Sequence, residues 1–315
     1  MPRGSSAKVD LTTQVGSLGF PNPVMTASGT AGHSDELGGY VDLARLGAVV
    51  VKSLSAAPWA GNPPPRVHET PAGMINSVGL QGPGIEHWTE HELPALIGAG
   101  ARVIVSIWGR SVDEYARAAA MCAELPPEVV AVEVNVSCPN IEDRHRVFAH
   151  DVSATRDVME ATAIAGRPRW AKLSPNVTDI VSIAAAARDG GAEAVTLVNT
   201  LMGMVIDLES RRPLLGGGGG GVSGPAMHPV AVRAVYDVYA ALEGLPIVAV
   251  GGVTSADHAI EFLLAGARAV QVGTANFADP RSTEKVLAGL ARWCSSHQVT
   301  RLTDLIGSAH GRRTT

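Results

Sequence analysis

Four times the chain repeats one phrase: a helical stretch, a Gly-Ala turn, and a short Val/Ile-rich run. It stands as ARLGAVVVKS, IGAGARVIVSI, DGGAEAVTLVN and LAGARAVQVGT. Glycine ends a helix in the left-handed region, and a run apolar at every position is a strand buried on both faces. Strands of that kind belong to parallel sheets covered by helices, which removes most other architectures. Extending the pattern gives eight runs: Pro23–Ala27, Ala48–Val51, Val103–Ile107, Val130–Val136, Trp170–Leu173, Ala194–Val198, Ile247–Val250 and Ala269–Val272. Helical patterns fall between them at Val112–Leu125, Val177–Asp189, Pro229–Leu242 and Ala256–Ala265. Eight units in 315 residues fit a TIM (β/α)8 barrel, one domain over residues 1–315. An open doubly wound sheet is the other topology that periodicity allows. Ahead of the first run, Leu11–Phe20 alternates around Gly16 and Gly19 and predicts a small hairpin.

Polar, glycine or titratable residues follow every run: Ser28-Gly29, Lys52-Ser53, Ser106–Gly109, Asn135–Asn140, Lys172, Asn199-Thr200, Gly251-Gly252 and Gly273-Thr274. In a closed barrel these positions converge on one mouth, where ligands bind. Two long insertions reach the same face, Ala56–Gly84 and Leu201–Pro229. The second contains six consecutive glycines, Gly216–Gly221, which hold one shape only if something packs on them. The densest site signal is VAVEVNVSCPN at Val130–Asn140, where a strand delivers Asn135, Cys138 and Asn140 to its end.

Gly251-Gly252 and Gly273-Thr274, after the last two strands, predict a phosphate held by backbone N–H groups. Lys52 and Lys172 end apolar strands, positions where an ammonium needs an anion or an electron-rich ring. Cys138 lies beyond a strand between two amides and reads as a reactive thiol, whereas Cys122 and Cys294 lie on predicted helices and read as structural. Three distant cysteines without CxxC exclude an iron–sulfur cluster held by this chain alone, and the ten histidines show no ligand spacing, so no metal is expected. A formal charge of −5 argues against nucleic acid as a partner. The sequence carries no 18-residue apolar run, so no membrane span is expected. An N-terminus without an apolar centre favours the cytoplasm.

Taken together, NPVMTASGT, VVVKS, NSVGLQGPG, EVNVSCPN, AKLSPNVTDI, TLVNTLMGM, GVSGPA, AVGGV and AVQVGTANF, in that order, resemble the class 1 dihydroorotate dehydrogenases, and most closely the class 1B (NAD-linked) catalytic subunit. The resemblance runs from about Asn22 to Pro280 and implies a TIM barrel with FMN at its mouth, oxidising dihydroorotate to orotate in pyrimidine synthesis. It implies that Cys138 is the base that removes the C5 proton while C6 gives hydride to flavin N5. It places Lys52, Asn76, Asn135, Asn140, Asn199 and Thr200 around the substrate, with the substrate loop at Ser77, Val78, Gly79 and Leu80. FMN is expected on Ser28, Lys52, Ser53, Ser106, Asn135, Lys172, Val198, Gly224, Gly251, Gly252, Gly273 and Thr274. The segment Ile141–Asp151 is expected to close over the site. The same resemblance implies a partner subunit with FAD and an iron–sulfur cluster leading to NAD, and a homodimer or heterotetramer.

Four features depart from that pattern. Gly82 and Ser106 stand where the family usually carries asparagine, the six-glycine run has no counterpart in it, and the segment IEDRHRVFAHD is more charged than the family's usual glycine-rich version. They keep two other functions in view: a dihydropyrimidine (dihydrouracil-type) dehydrogenase, and a flavin-binding homologue without dehydrogenase activity.

Overall fold

The computed structural model describes residues 9–137 and 148–311. The chain opens with the expected hairpin, β1 (Thr13–Val15) against β2 (Leu18–Phe20), turning at Gly16 with φ 58°. The barrel strands are β3 (Val24–Thr26) and β4 (Val49–Val50), then, after a roof hairpin of β5 (Val67–Thr70) and β6 (Gly73–Asn76), β7 (Val103–Ile107), β8 (Val129–Asn135), β9 (Arg169–Lys172) and β10 (Ala194–Leu197). Four short strands follow, β11 (Leu201–Gly203), β12 (Ile206–Asp207), β13 (Arg212–Pro213) and β14 (Gly220–Ser223). The barrel then resumes with β15 (Ile247–Val250) and β16 (Ala269–Val272).

The eight barrel strands form one parallel sheet in the order β3-β16-β15-β10-β9-β8-β7-β4. A parallel bridge between Met25 and Ala48 joins its two edges, with the Gly47 amide donating to the Val24 carbonyl at 2.8 Å. This is the (β/α)8 barrel that the eight runs predict, with each run within about a residue of its strand.

The helices are α1 (Ile85–His91), α2 (Leu93–Gly98), α3 (Val112–Ala123), α4 (Val152–Ala161), α5 (Ile180–Asp189), α6 (His228–Ala241), α7 (Ala256–Ala265), α8 (Ala275–Ala278) and α9 (Ser282–Ser296). Ser111, Asp151, Asp179 and Ser255 cap α3, α4, α5 and α7 by accepting from the amide three residues on, which satisfies a donor the helix cannot. The cap at Asp179 explains why α5 starts three residues later than its apolar pattern predicts. The first βα unit has only two short 3-10 turns, and α9 packs back onto β3.

Inside the barrel the period of two divides the lumen into layers. At the bottom, Met25, Val50, Ile104, Ala131, Trp170, Ala194, Val248 and Ala269 form an apolar plug with Val15 and Phe20 of the hairpin. The Phe20 and Trp170 rings meet edge to face at 5.9 Å. Two residues further along the strands the inward side chains are Ser106, Glu133, Lys172, Thr196 and Gln271, all buried.

The two insertions pair with each other. β11, β14, β6 and β5 form an antiparallel sheet over the mouth, with Gly221 opposite Asn76 and Val222 opposite Ile75. The glycine run is the seam of this roof. A Cβ at Gly217 would stand 2.2 Å from Ser77 Oγ, and one at Gly221 2.1 Å from Thr200 Oγ1.

Removing the hairpin's anchor tests the plug. Phe20→Ala is expected to destabilise the fold by about 3–5 kcal/mol, read as a lower midpoint in chemical denaturation. A loss within a few tenths of a kcal/mol would show that the hairpin does not close the barrel.

Candidate active site

Above the polar layer a cavity of about 320 Å³ opens at the carboxyl ends of the strands. Of the residues singled out in the sequence, Ser28, Lys52, Ser53, Asn76, Val78, Gly79, Leu80, Asn135, Lys172, Val198, Asn199, Thr200, Gly224, Gly251, Gly252, Gly273 and Thr274 all line it. They come from all parts of the chain, and the barrel's closure is what brings them together. Ser137, the last described residue before the gap, lines it too. Cys138, Asn140 and most of the segment 141–151 lie outside the described residues. The described end of that segment is anchored: Phe148 is buried, its ring 5.4 Å from that of Tyr115, and Asp151 is the cap of α4.

Hydrogen bonds tie the amides and hydroxyls into one chain. Asn199 Nδ2 donates to Asn135 Oδ1 at 3.3 Å, and Asn135 Nδ2 donates to Ser53 Oγ at 3.2 Å. Ser53 Oγ contacts Ser106 Oγ at 2.8 Å and Ser28 Oγ at 3.2 Å. The Ser106 hydroxyl is wholly buried behind Ser53, so the structure places it as a support for the wall. Ser77 is likewise set back, its Oγ accepting from Asn62 Nδ2 at 2.9 Å. Asn76 Nδ2 donates to the Gly221 carbonyl at 3.3 Å within the roof, and Thr274 Oγ1 donates to Ser223 Oγ at 2.8 Å, which fastens the end of β16 to it.

The loop from Val78 to Leu80 is shaped by a template that the sequence reading did not single out. The Asn62 amide donates to the Val78 carbonyl at 3.0 Å and Trp59 Nε1 to the Gly79 carbonyl at 2.9 Å. Arg110 lies over the Trp59 ring at 4.5 Å and is itself paired with Glu114 at 2.7 Å. Leu80 sits at φ 62°, a strained backbone for a branched residue that its surroundings must enforce.

The two lysines occupy different environments. Lys52 donates to the Gln81 carbonyl. Burial, with the neighbouring Arg66 guanidinium second, brings its ammonium down from 10.5 to about 8. His33 stands beside it and is brought down to about 4, by burial first and then by Lys52, so it is neutral near neutral pH. His33 Nε2 lies 3.6 Å from where a Cβ would stand at Gly82, and thus occupies the direction in which a side chain at position 82 would point. Lys172 lies lower, 6% exposed, with Nζ 3.5 Å from the wholly buried Glu133 carboxylate. Glu133 was not among the expected residues. Its signal is faint but present, a lone acid at an inward position of a strand that is apolar up to its final Asn135.

Of the other cysteines, Cys122 lies buried on α3 and Cys294 on α9. Burial pushes the Cys122 thiol up to about 12, the behaviour of an inert core residue. Among the described residues no helix is long and apolar enough to cross a membrane.

Chemically, the cavity offers a cation at its floor, apolar walls at Ala27, Val198, Met227 and Val250, and a turn of small residues at Gly251 and Gly252. Gly252 takes φ 69°, and a Cβ there would stand 2.8 Å from His228 Cβ and 2.9 Å from the Gly224 carbonyl. The turn is therefore restricted to glycine and leaves its backbone bare toward the cavity. That set suits a flat heteroaromatic ring carrying a phosphate.

Lys52 gives a pH test. Its folded state releases the proton near 8 and its unfolded state near 10.5, so holding the charge opposes folding below pH 8. That opposition fades as pH rises between these values. With the side chain isotopically labelled and assigned through Lys52→Met, an NMR titration is expected to show a midpoint near 8. A midpoint at the ordinary lysine value would remove burial as the governing effect.

Comparison with known proteins agrees with this geometry. Residues 10–293 match the family model described as "Dihydroorotate dehydrogenase". A protein of Desulforudis audaxviator named "Dihydroorotate dehydrogenase B (NAD(+)), catalytic subunit" is 50% identical over 307 residues, covering 96% of this chain and 98% of its own. Proteins of the same name from Pelobacter propionicus and Geobacter sulfurreducens are 47% and 45% identical, each over 96% of this chain and 99% and 98% of their own.

Proposed function

The chain belongs to the dihydroorotate dehydrogenase family, and from that premise we propose that it oxidises dihydroorotate to orotate with FMN held at the barrel mouth. The observation that carries the reading is the meeting, in one cavity, of Lys52 and Lys172 with Asn76, Asn135 and Asn199.

FMN fits the residues present. Lys172, Ser28, Ser53, Asn135 and Val198 would hold its ring system, with Ser106 steadying Ser53 from behind. Gly224, Gly251, Gly252, Gly273 and Thr274 would hold the phosphate with backbone and hydroxyl donors. Bound FMN would supply the acceptor for the hydride that leaves C6 of the dihydropyrimidine ring.

The remaining work falls to the chain. Asparagine amides both donate and accept in one plane, so Asn76, Asn135, Asn140 and Asn199, with Thr200, are suited to fixing a flat ring carrying carbonyl, N–H and carboxylate groups. The backbone of Ser77, Val78, Gly79 and Leu80 forms one side of that pocket, and Lys52 brings positive charge for the carboxylate. Cys138 takes the C5 proton onto Sγ. A thiol whose pKa is closer to neutrality than a hydroxyl's makes it the better base. The name "Dihydroorotate dehydrogenase B (NAD(+)), catalytic subunit" carried by the relatives supports a second subunit and NAD as the acceptor; the FAD and iron–sulfur cluster of that subunit, and a homodimer or heterotetramer, follow from the family resemblance.

Anaerobic mixing with dihydroorotate is expected to bleach the visible flavin band of the purified protein. A yellow protein left unbleached by dihydroorotate but bleached by dihydrouracil would move the substrate assignment to dihydropyrimidines lacking the carboxylate. Cys138→Ser is expected to slow that bleaching at least tenfold near neutral pH; an unchanged rate would take the base away from Cys138.

A further inference from the structure

The layer beneath the cavity contains a carboxylate that the proposed chemistry leaves unused. Glu133 is wholly buried on β8. Its Oε2 accepts from Gln271 Nε2 at 2.8 Å and from Thr196 Oγ1 at 3.1 Å. Among the described residues its Oε1 has no hydrogen-bond partner, and it faces Lys172 Nζ at 3.5 Å. Thr196 is on β10 and Gln271 on β16, and neither strand is a neighbour of β8 in the sheet. The bonds therefore reach across the lumen, one from a strand two places from β8 and one from the strand facing it across the barrel. With Oε2 engaged on two donors, Oε1 is left aimed at the ammonium.

An unpaired charge in such a place is strongly unfavourable, and a pair is tolerated only when further hydrogen bonds complete it. Thr196 and Gln271 complete this one. The pair does two things to the floor of the cavity. It fixes the Lys172 ammonium by a partner that cannot turn away, and it places a negative charge behind the positive one. A lone lysine would favour electron-rich ligands without limit; the carboxylate behind it reduces that pull.

We propose that Glu133 is a positioning residue that anchors Lys172 and, through its charge, lowers the reduction potential of FMN in the cavity. The inference rests on the reading of the cavity as an FMN site. It assigns Glu133 a part in setting the flavin's potential although it does not line the cavity. A two-electron centre that must be filled by one reactant and emptied by another works best when neither state is held too firmly.

The test is the midpoint potential of bound FMN, measured by dye equilibration on the intact protein, with FMN affinity measured separately by titration of stripped protein. Glu133→Gln keeps the shape and removes the charge. It is expected to raise the midpoint by the equivalent of at least a tenfold change in the redox equilibrium, about 30 mV for a two-electron couple. Thr196→Val removes one hydrogen bond and no charge, and is expected to leave the midpoint in place. An unchanged midpoint in Glu133→Gln overturns the proposal, as does an equal rise in both variants, because loosened packing would then suffice. Should Glu133→Gln fail to fold, Glu133→Met, an uncharged side chain of similar size, takes its place with the same expected rise, and an unchanged midpoint overturns the proposal. Failure of the unaltered protein to bind FMN would overturn the cofactor reading itself, a result separate from all of these.

Discussion

Because side chains alternate along a strand, an inward residue of the barrel is followed two positions later by another, and each strand carries a short column into the lumen. On β8 the column reads Ala131, Glu133, Asn135; on β9 it reads Trp170, Lys172. The ladder sets Glu133 opposite Trp170 and Asn135 opposite Lys172, and the tilt of barrel strands brings Ala131 into the apolar plug with Trp170 and Glu133 within 3.5 Å of Lys172 above it. The plug of Phe20 and Trp170 keeps water from the lower end. The polar layer is thereby confined between a dry floor and the cavity, and its groups have to satisfy one another. Everything at the mouth stands on that layer.

The second dependence runs from above. Residues 56–84 and 201–229 leave the barrel from strands that are not neighbours, yet they meet as one antiparallel sheet. Through it, Asn76 of the roof and Thr274 beyond β16 are joined to adjacent stretches of β14. A cofactor and substrate held between would contact a floor set by the barrel and a ceiling set by the insertions. The loop at Val78–Leu80 belongs to the ceiling, and the strained Leu80 is flanked by bonds from Trp59 and Asn62 on one side and from Lys52, at the end of a barrel strand, on the other.

The strands were legible because burial on both faces leaves an apolar run that nothing else in a folded chain requires. The site residues were legible for a related reason: a polar residue at the end of such a run has to be there for something. Resemblance then gave Asn76, Asn199 and the loop after Asn76 their roles. Glu133, Thr196 and Gln271 escaped because each is one polar residue among apolar neighbours, and their meaning arises only when β8, β10 and β16 face one another across the lumen. His33 and Trp59 escaped because they lie in loops without period. Ser106 was found, but whether a strand-end hydroxyl touches a ligand or supports a residue that does depends on a single turn of backbone. The pairing of the two insertions was hidden for another reason, since glycines have no side-chain pattern from which a register can be read.

The six-glycine tract has a meaning for how the gene can vary. Repeated codons are where insertions and deletions of whole residues arise readily, and a glycine tract looks like the place to absorb them. Here the tract turns into a paired strand: Gly216 donates to the Pro65 carbonyl, Gly218 to that of Leu215, and Gly220 and Gly221 already lie in β14. One residue more or fewer would shift the strand by a step and exchange its two faces, setting a side of β14 that now clears Thr200 against the wrong neighbours. The most repetitive part of the sequence is thus among the least free to change its length.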